Sequence, residues 1–139
     1  MKTKILSLAM VVVLMLTVNV SAFAATATPK NSGIHVMYTN DDDVTASIDF
    51  SGTCANCSGA VDAKSGTTKI VATALLQRVN GSNTSTVKTW TVSAAGDTLY
   101  FDQSYYVASG YTYKLVINAK VYRNGTVESV STSDSAYCG

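Results

Sequence analysis

The stretch YTYKLVINAKVY, residues 111–122, decides the fold class of this chain. Its odd-numbered positions are Tyr, Tyr, Leu, Ile, Ala and Val, whereas most of its even-numbered positions are polar. An apolar residue at every second position is typical of a strand that buries one face and exposes the other. Ser109-Gly110 before the stretch is a turn signal, and Arg123-Asn124-Gly125 after it is a hairpin signal. We therefore predict a long antiparallel strand that ends in a tight hairpin.

The same period of two recurs on both sides of this stretch, and Thr, Val and Tyr, which favour strands, are abundant. Further strands are predicted at residues 44–50, 57–63, 68–79, 86–94, 98–107 and 126–137. Turn signals such as Asn80-Gly81 separate them, and Trp90 falls on an inward phase. Seven or eight strands without a helical pattern predict an all-β antiparallel sandwich of immunoglobulin-like topology, with a closed barrel as the alternative.

The N-terminal segment has the features of a secretion signal. Lys2 and Lys4 precede an uncharged apolar run, Ile5–Val18, that is too short to cross a bilayer, and Ala22-Phe23-Ala24 suits signal peptidase. We expect a signal-peptide helix at residues 1–24 with cleavage after Ala24, a flexible tether at 25–33 and the β-sandwich domain at 34–139. The protein is therefore predicted to be secreted and extracellular.

The charge balance excludes some partners. The 139 residues include ten Lys and Arg and nine Asp and Glu. Two of the lysines belong to the signal, so the mature chain has a net charge near −1. Such a chain has no electrostatic footprint for nucleic acid or for an anionic membrane.

Several segments in the second half of the sequence resemble a family. They are Leu76-Gln77-Arg78, Val87–Trp90, Tyr106–Lys114, Glu128, Ser131 and Ser133. In this order they resemble small secreted single-domain β proteins of unknown function from Gram-positive bacteria, which implies export and a β domain but no catalytic residue. The strand from Tyr113 after Ser109-Gly110 is also similar to a late strand of immunoglobulin-like and fibronectin type III sandwiches, in which an early Tyr hydrogen-bonds back to the chain.

Three cysteines, Cys54, Cys57 and Cys138, are candidates for a disulfide. Cys54 and Cys57 form a CxxC motif, but no helix follows it, so a redox site of the thioredoxin kind is disfavoured. In one regular strand, residues three apart lie too far apart to bond, so a bond between Cys54 and Cys57 requires a turn at Ala55-Asn56, whereas either cysteine could bond to Cys138. We favour a bond between Cys57 and Cys138, because Cys57 shares the inward phase of Val61, and this bond leaves Cys54 free or available to a second chain.

A binding face is predicted from three tyrosines. Tyr100, Tyr106 and Tyr122 fall out of phase with the inward residues of their strands and so present rings to solvent or to a partner. Sugar-binding sandwiches use such rings, because the apolar face of a pyranose packs on them. Asn40–Asp43 gathers three carboxylates, but adjacent Asp residues do not converge on one ion, and a solvated turn is expected there rather than a metal site.

Catalysis and cofactors are not predicted. His35 is the single histidine and lies near the tether, and Glu128 is the single glutamate. A hydrolytic triad needs a base beside a nucleophile, and a glycosidase needs two carboxylates in one cleft. We predict a secreted non-enzymatic module that binds polysaccharide or protein at the cell surface, without cofactor or metal. The alternative is a small secreted effector, either a bacteriocin-like toxin or an enzyme inhibitor.

Overall fold

The computed structural model of the protein describes residues 42–139. They form seven strands, namely β1 (Asp43–Ser51), β2 (Cys54–Asp62), β3 (Thr67–Asn80), β4 (Asn83–Ala95), β5 (Thr98–Tyr106), β6 (Tyr111–Arg123) and β7 (Thr126–Cys138). Every strand predicted from the alternation is present, with bounds that differ by about three residues at most. The predicted signal peptide, its cleavage site, the tether and His35 lie outside the described residues.

The strands form two antiparallel sheets, which confirms the sandwich. One sheet has three strands in the order β1-β2-β5, and the other has four in the order β4-β3-β6-β7. In a constant-type immunoglobulin domain the fourth strand pairs with the fifth strand, in the sheet that also contains the first two strands. Here β4 pairs instead with β3 over its whole length, with one bulge at Leu76/Gln77.

The hairpin turns follow from local backbone chemistry. Asn124 and Gly125 both have positive φ, of 50° and 75°, as the predicted Asn-Gly hairpin requires. At the other Asn-Gly pair only Gly81 has positive φ, because Asn80 already pairs with Asn83 as the last strand residue. Gly81 is thus the first central residue of a two-residue turn, a position that favours glycine.

The core lies between the sheets and contains most of the predicted inward residues, but Tyr105 and Tyr111, which were also predicted to face inward, are 36% and 38% exposed. From β6 the core contains Tyr113, Leu115, Ile117, Ala119 and Val121, all nearly inaccessible to solvent. The Tyr113 hydroxyl donates a hydrogen bond of 2.8 Å to the carbonyl oxygen of Ala108, five residues earlier. This is the expected bond back to the chain, and it fixes the connection between the sheets that precedes β6.

Both open sides of the sandwich are closed by side chains. On one side, Trp90 of β4 is half-buried and packs edge-on against Phe101 and Tyr105 of β5, with ring centroids 5.6 and 6.3 Å apart. On the other side, the backbone N–H of Ile48 in β1 donates to the Asp134 carboxylate of β7 at 3.0 Å. Trp90 therefore contributes to the core, as its phase predicts.

The expectation of a solvated turn at Asn40–Asp43 is wrong for Asp42, whose side chain is fully buried. Arg123 donates to both Asp42 carboxylate oxygens, at 3.0 and 3.3 Å, and to Glu128 at 2.6 Å. Burial acts to raise the pKa of Asp42, but the hydrogen bonds from Arg123 and from the Lys64 N–H outweigh it and lower that pKa. Asp42 thus ties the start of β1 to the β6–β7 hairpin.

Candidate binding faces

The two sheets carry charges of opposite sign. The strands of the three-stranded sheet contain four aspartates, Asp43, Asp49, Asp62 and Asp102, and neither Lys nor Arg. All four are exposed, and they alternate with buried core residues along their strands. We call the outer surface of this sheet the acidic face.

The four-stranded sheet carries the basic charge. Its outward positions include Lys69, Lys114 and Lys120 but neither Asp nor Glu. The two carboxylates in these strands, Glu128 and Asp134, have the opposite phase and bond to Arg123 and to the Ile48 N–H. We call the outer surface of this sheet the basic face.

The three predicted tyrosines do not form one surface. Tyr100 and Tyr106 lie on the acidic face and are 78% and 77% exposed. They are six residues apart on β5, about 20 Å by strand geometry. Tyr122 lies on the basic face, half-buried, with the Lys69 ammonium 5.9 Å from its ring centroid. The structure therefore divides the predicted binding face into separate candidate sites.

Tyr100 stands at the edge of a shallow hollow of about 390 Å³ on the acidic face, which we call the Tyr100 hollow. Two cross-strand rows build it. Thr45, Ala60 and Tyr100 form one row, and Ser47, Ser58 and Asp102 form the next. Because the middle strand contributes only Ser58 and Gly59 to the lining, the Tyr100 ring rises above a low floor beside hydroxyls and one carboxylate.

A second depression of about 340 Å³ lies on the basic face, which we call the Tyr122 groove. It crosses β3, β6 and β7, and its lining residues include Val71, Thr73, Asn118, Lys120, Tyr122 and Ser129. Ser131 donates a hydrogen bond of 2.7 Å to the Asn118 side-chain oxygen at the groove wall. The lining combines an aromatic ring, hydroxyls, an amide and an ammonium group, and it contains no carboxylate.

The sequence identified one residue of each depression and missed the rest. The alternation predicts that Ser58, Asp102, Asn118 and Lys120 face outward, but it does not predict which of them are neighbours. Which outward residues become neighbours depends on strand order and register, and these come from contacts between distant segments. Nothing in the sequence indicates that an outward lysine on one strand lies next to an outward serine on another.

The cysteines are free thiols in this structure, and no bond joins Cys57 to Cys138. Cys57 faces the core in mid-strand, opposite Ile48, as its phase predicts. The Cys138 thiol instead bonds to the Gly52 carbonyl oxygen at the β1–β2 turn, at 3.6 Å. The four residues from Ile48 to Gly52 span about 13 Å, whereas bonded cysteines have α-carbons within about 7 Å.

The CxxC pair is also held apart, because β2 is a regular strand from Cys54 onward and pairs residue by residue with β1. Burial, together with the Asp49 charge, raises the pKa of Cys57 to about 11. A thiol in this state is a poor nucleophile, because the thiolate is the reactive species. This geometry is that of a core residue rather than of a redox pair.

Within residues 42–139 no helix is long and apolar enough to cross a membrane. In the same residues, no three His, Cys, Asp or Glu side chains gather as metal ligands would.

No protein-family model matches the sequence, and no curated protein matches it. Among solved structures, the chain is similar to the solution structure of CsgH from R. palustris, with 11% sequence identity and a TM-score of 0.39. The matched region covers 64% of this chain and 88% of CsgH. A likeness of this degree assigns neither a family nor a function.

Proposed function

We propose that this chain is an exported, non-enzymatic module that binds a glycan at the Tyr100 hollow. The observation that carries the proposal is the Tyr100 ring, 78% exposed, beside a depression lined with hydroxyls and the Asp102 carboxylate. Large aromatic surface left in water at the rim of a hollow is typical of a binding site.

The chemistry of the hollow suits a sugar. A pyranose ring has one apolar C–H face, which packs on an aromatic ring, and a rim of hydroxyls, which need hydrogen-bond partners. Ser47 and Ser58 offer hydroxyls that both donate and accept, and the Asp102 carboxylate accepts. The floor of the hollow extends about 10 Å across the three strands and about 7 Å along them, from one outward residue to the next, and this area accommodates one sugar ring.

The acidic face also selects the class of glycan. Four aspartates without a compensating Lys or Arg in the same strands repel carboxylate or phosphate groups at low and physiological ionic strength. The proposed ligand is therefore a neutral or amino-substituted polysaccharide.

The setting of the carboxylates favours binding over hydrolysis. Asp49 and Asp102 lie on the two outer strands of this sheet, one row apart, and both are exposed. Paired catalytic carboxylates of glycosidases enclose the bond that is cleaved, whereas these two stand on an open sheet face. Asp49 is also occupied by a 2.8 Å hydrogen bond from the Asn56 amide.

Export is the remaining part of the proposal. It is supported by Lys2, Lys4 and the short apolar run Ile5–Val18 before Ala22-Phe23-Ala24. It is supported as well by the sequence resemblance to small secreted β proteins of Gram-positive bacteria. Glycans that a small exported protein meets include those of its own cell surface.

The test is glycan-array binding of the mature protein, followed by calorimetric titration of the best ligand. Tyr100→Ala should weaken binding at least fivefold, because truncation of an aromatic anchor removes more than about 1 kcal/mol. Asp102→Asn should weaken it less, since the amide keeps one acceptor.

Tyr106→Ala is the matched control, because Tyr106 has the same exposure, strand and face but lies outside the hollow. It should leave the affinity within twofold of the wild-type value. The proposal fails if no neutral or amino-substituted glycan binds, or if the two tyrosine variants lose affinity equally.

A further inference from the structure

We infer that the Tyr122 groove is a second binding site, which takes an anionic group, carboxylate or phosphate, carried on a polysaccharide or polyol chain. The groove lies on the opposite face from the Tyr100 hollow and shares no residue with it. The inference therefore goes beyond the proposed function and stands or falls separately.

Two lysines lie at the groove: Lys120 lines it, and Lys69 lies beside it with its ammonium group over the ring of Tyr122, a lining residue. Lys69 pairs with Tyr122 and Lys120 pairs with Val71, so the lysines are diagonal neighbours on β3 and β6. Diagonal residues lie about 7–8 Å apart, and two flexible lysine side chains from such positions reach one anion between them. Both residues are exposed, so their ammonium groups are accessible to a ligand.

The other polar groups of the groove fit the same ligand. The Asn118 side-chain oxygen accepts the hydrogen bond from Ser131, so the amide offers its N–H donors to a ligand. Thr73 and Ser129 add hydroxyls in the neighbouring positions. Since the described outward positions of this sheet include no carboxylate, an anion meets donors and positive charge without repulsion.

The Tyr122 ring gives the groove an apolar wall. The Lys69 ammonium lies over the ring, 5.9 Å from its centroid, which places one positive charge beside this wall. The volume of about 340 Å³ is at the lower end for small-molecule sites and matches one charged sugar or polyol unit rather than a folded partner.

The acidic face of a second copy is the competing occupant. Its three strands of nine residues present about 430 Å² by strand geometry, roughly half of the 800 Å² per partner of a standard interface. These areas favour a polymer ligand over self-association.

The test measures binding of three polymers to the mature protein at 50 mM salt by calorimetric titration. The polymers are polygalacturonate, which carries carboxylates, poly(glycerol phosphate), which carries phosphates, and uncharged dextran. We expect binding of at least one anionic polymer, weakened about fivefold by Lys120→Gln and by Lys69→Gln, the size expected for one exposed charge pair. The arm that binds identifies the anion.

Lys114→Gln is the matched control, because Lys114 lies on the same strand and face, six residues from Lys120 and outside the groove. It should change the affinity less than twofold, and so should Tyr100→Ala, which tests the proposed function instead. The inference is overturned if neither anionic polymer binds, if Lys120→Gln weakens binding of dextran as much as that of the anionic polymer, or if Lys114→Gln weakens binding as much as Lys120→Gln. Self-association in sedimentation velocity that Lys120→Gln abolishes would assign the groove to a second copy and overturn the inference too.

Discussion

Replacement of Tyr113 by Phe isolates the hydrogen bond that ties β6 to the preceding connection. Tyr113 is 1% exposed and its ring packs on Phe50, with centroids 5.8 Å apart. Phe retains this packing and removes only the hydroxyl, which donates to the Ala108 carbonyl at 2.8 Å. A net intramolecular hydrogen bond is worth about 1 ± 0.5 kcal/mol, and an acceptor left buried without a partner costs more.

Ala108 is exposed, so water replaces part of the lost bond at its carbonyl group. We therefore expect Tyr113→Phe to lower the free energy of unfolding by about 1–1.5 kcal/mol, which corresponds to a fall in Tm of about 5–10 °C for a domain of this size. Urea unfolding followed by the fluorescence of Trp90, the single tryptophan, measures this change. The slope of the transition should stay constant, because the area exposed on unfolding is the same.

Tyr137→Phe supplies the control, since Tyr137 is 64% exposed on β7 and its hydroxyl faces solvent. It should alter stability by less than about 0.5 kcal/mol. Equal effects of the two substitutions, or no measurable effect of Tyr113→Phe, would refute the role assigned to the Ala108 hydrogen bond.

Three further predictions concern the core and its ion pair. Arg123→Met should lower Tm at pH 7 by about 10 °C or more, because it leaves the buried Asp42 carboxylate without its counter-charge. Folding lowers the pKa of Asp42, so the ionised carboxylate stabilises the folded state at pH values above its unfolded pKa, and this stabilisation is lost as pH falls through the folded pKa. The difference in Tm between wild type and Arg123→Met should therefore narrow below about pH 4. A difference of constant size would contradict this. Cys57, with a pKa raised to about 11, should resist iodoacetamide in the native protein at pH 8 while the partly exposed Cys54 reacts; equal labelling of both thiols by mass spectrometry would argue against the buried position. The free energy of unfolding should also fall as pH rises from about 9 to 11, because the Cys57 thiol ionises more easily in the unfolded chain. The Cys57→Val variant should not show this fall. Gly59→Ala should lower the free energy of unfolding by about 1–3 kcal/mol, because the added methyl group would overlap the Ile117 Cδ1 and the Thr45 carbonyl oxygen. In the same urea assay the neighbouring Ser58→Ala should be nearly neutral. A neutral Gly59→Ala would show that the sheets are less closely packed there.

The strands could be predicted from the sequence because a half-buried strand records its burial at every second residue. In β6 the alternation from Tyr113 to Val121 corresponds residue by residue to the buried positions. The Tyr113 hydrogen bond was expected from the resemblance of this strand to a late strand of immunoglobulin-like and fibronectin type III sandwiches, and it joins residues only five apart. Local features of this kind need no knowledge of distant partners.

The features that the sequence did not reveal depend on pairs of distant residues. Three consecutive aspartates are typical of an exposed turn, and nothing near Asp42 indicates that Arg123, 81 residues later, buries and pairs it. Similarly, the phase of Tyr100 and Tyr122 predicts that both rings face outward, but it does not say that they belong to opposite sheets. The sheet order, which decides this, follows from long-range packing.

The charge separation between the two faces could be predicted only in part, because it depends both on the composition of each strand and on the order of the strands in the sheets. The composition of each strand is visible in the sequence: β1, β2 and β5 contain four exposed aspartates and neither Lys nor Arg, whereas β3 and β6 contain the outward lysines. Their assembly into one sheet turns a balanced chain into a molecule with two faces of opposite charge. The two candidate sites, and the different ligands proposed for them, result from this assembly.

The most direct measurement is a ¹⁵N–¹H spectrum of the mature protein titrated with the neutral or amino-substituted glycan selected on the array. The proposed function predicts shifts confined to the neighbours of the Tyr100 ring, above all Ser47, Ser58 and Asp102, with Asn118 and Lys120 on the opposite face unchanged. Shifts restricted to the hairpin turns or to the basic face, with the β1-β2-β5 surface silent, would contradict it.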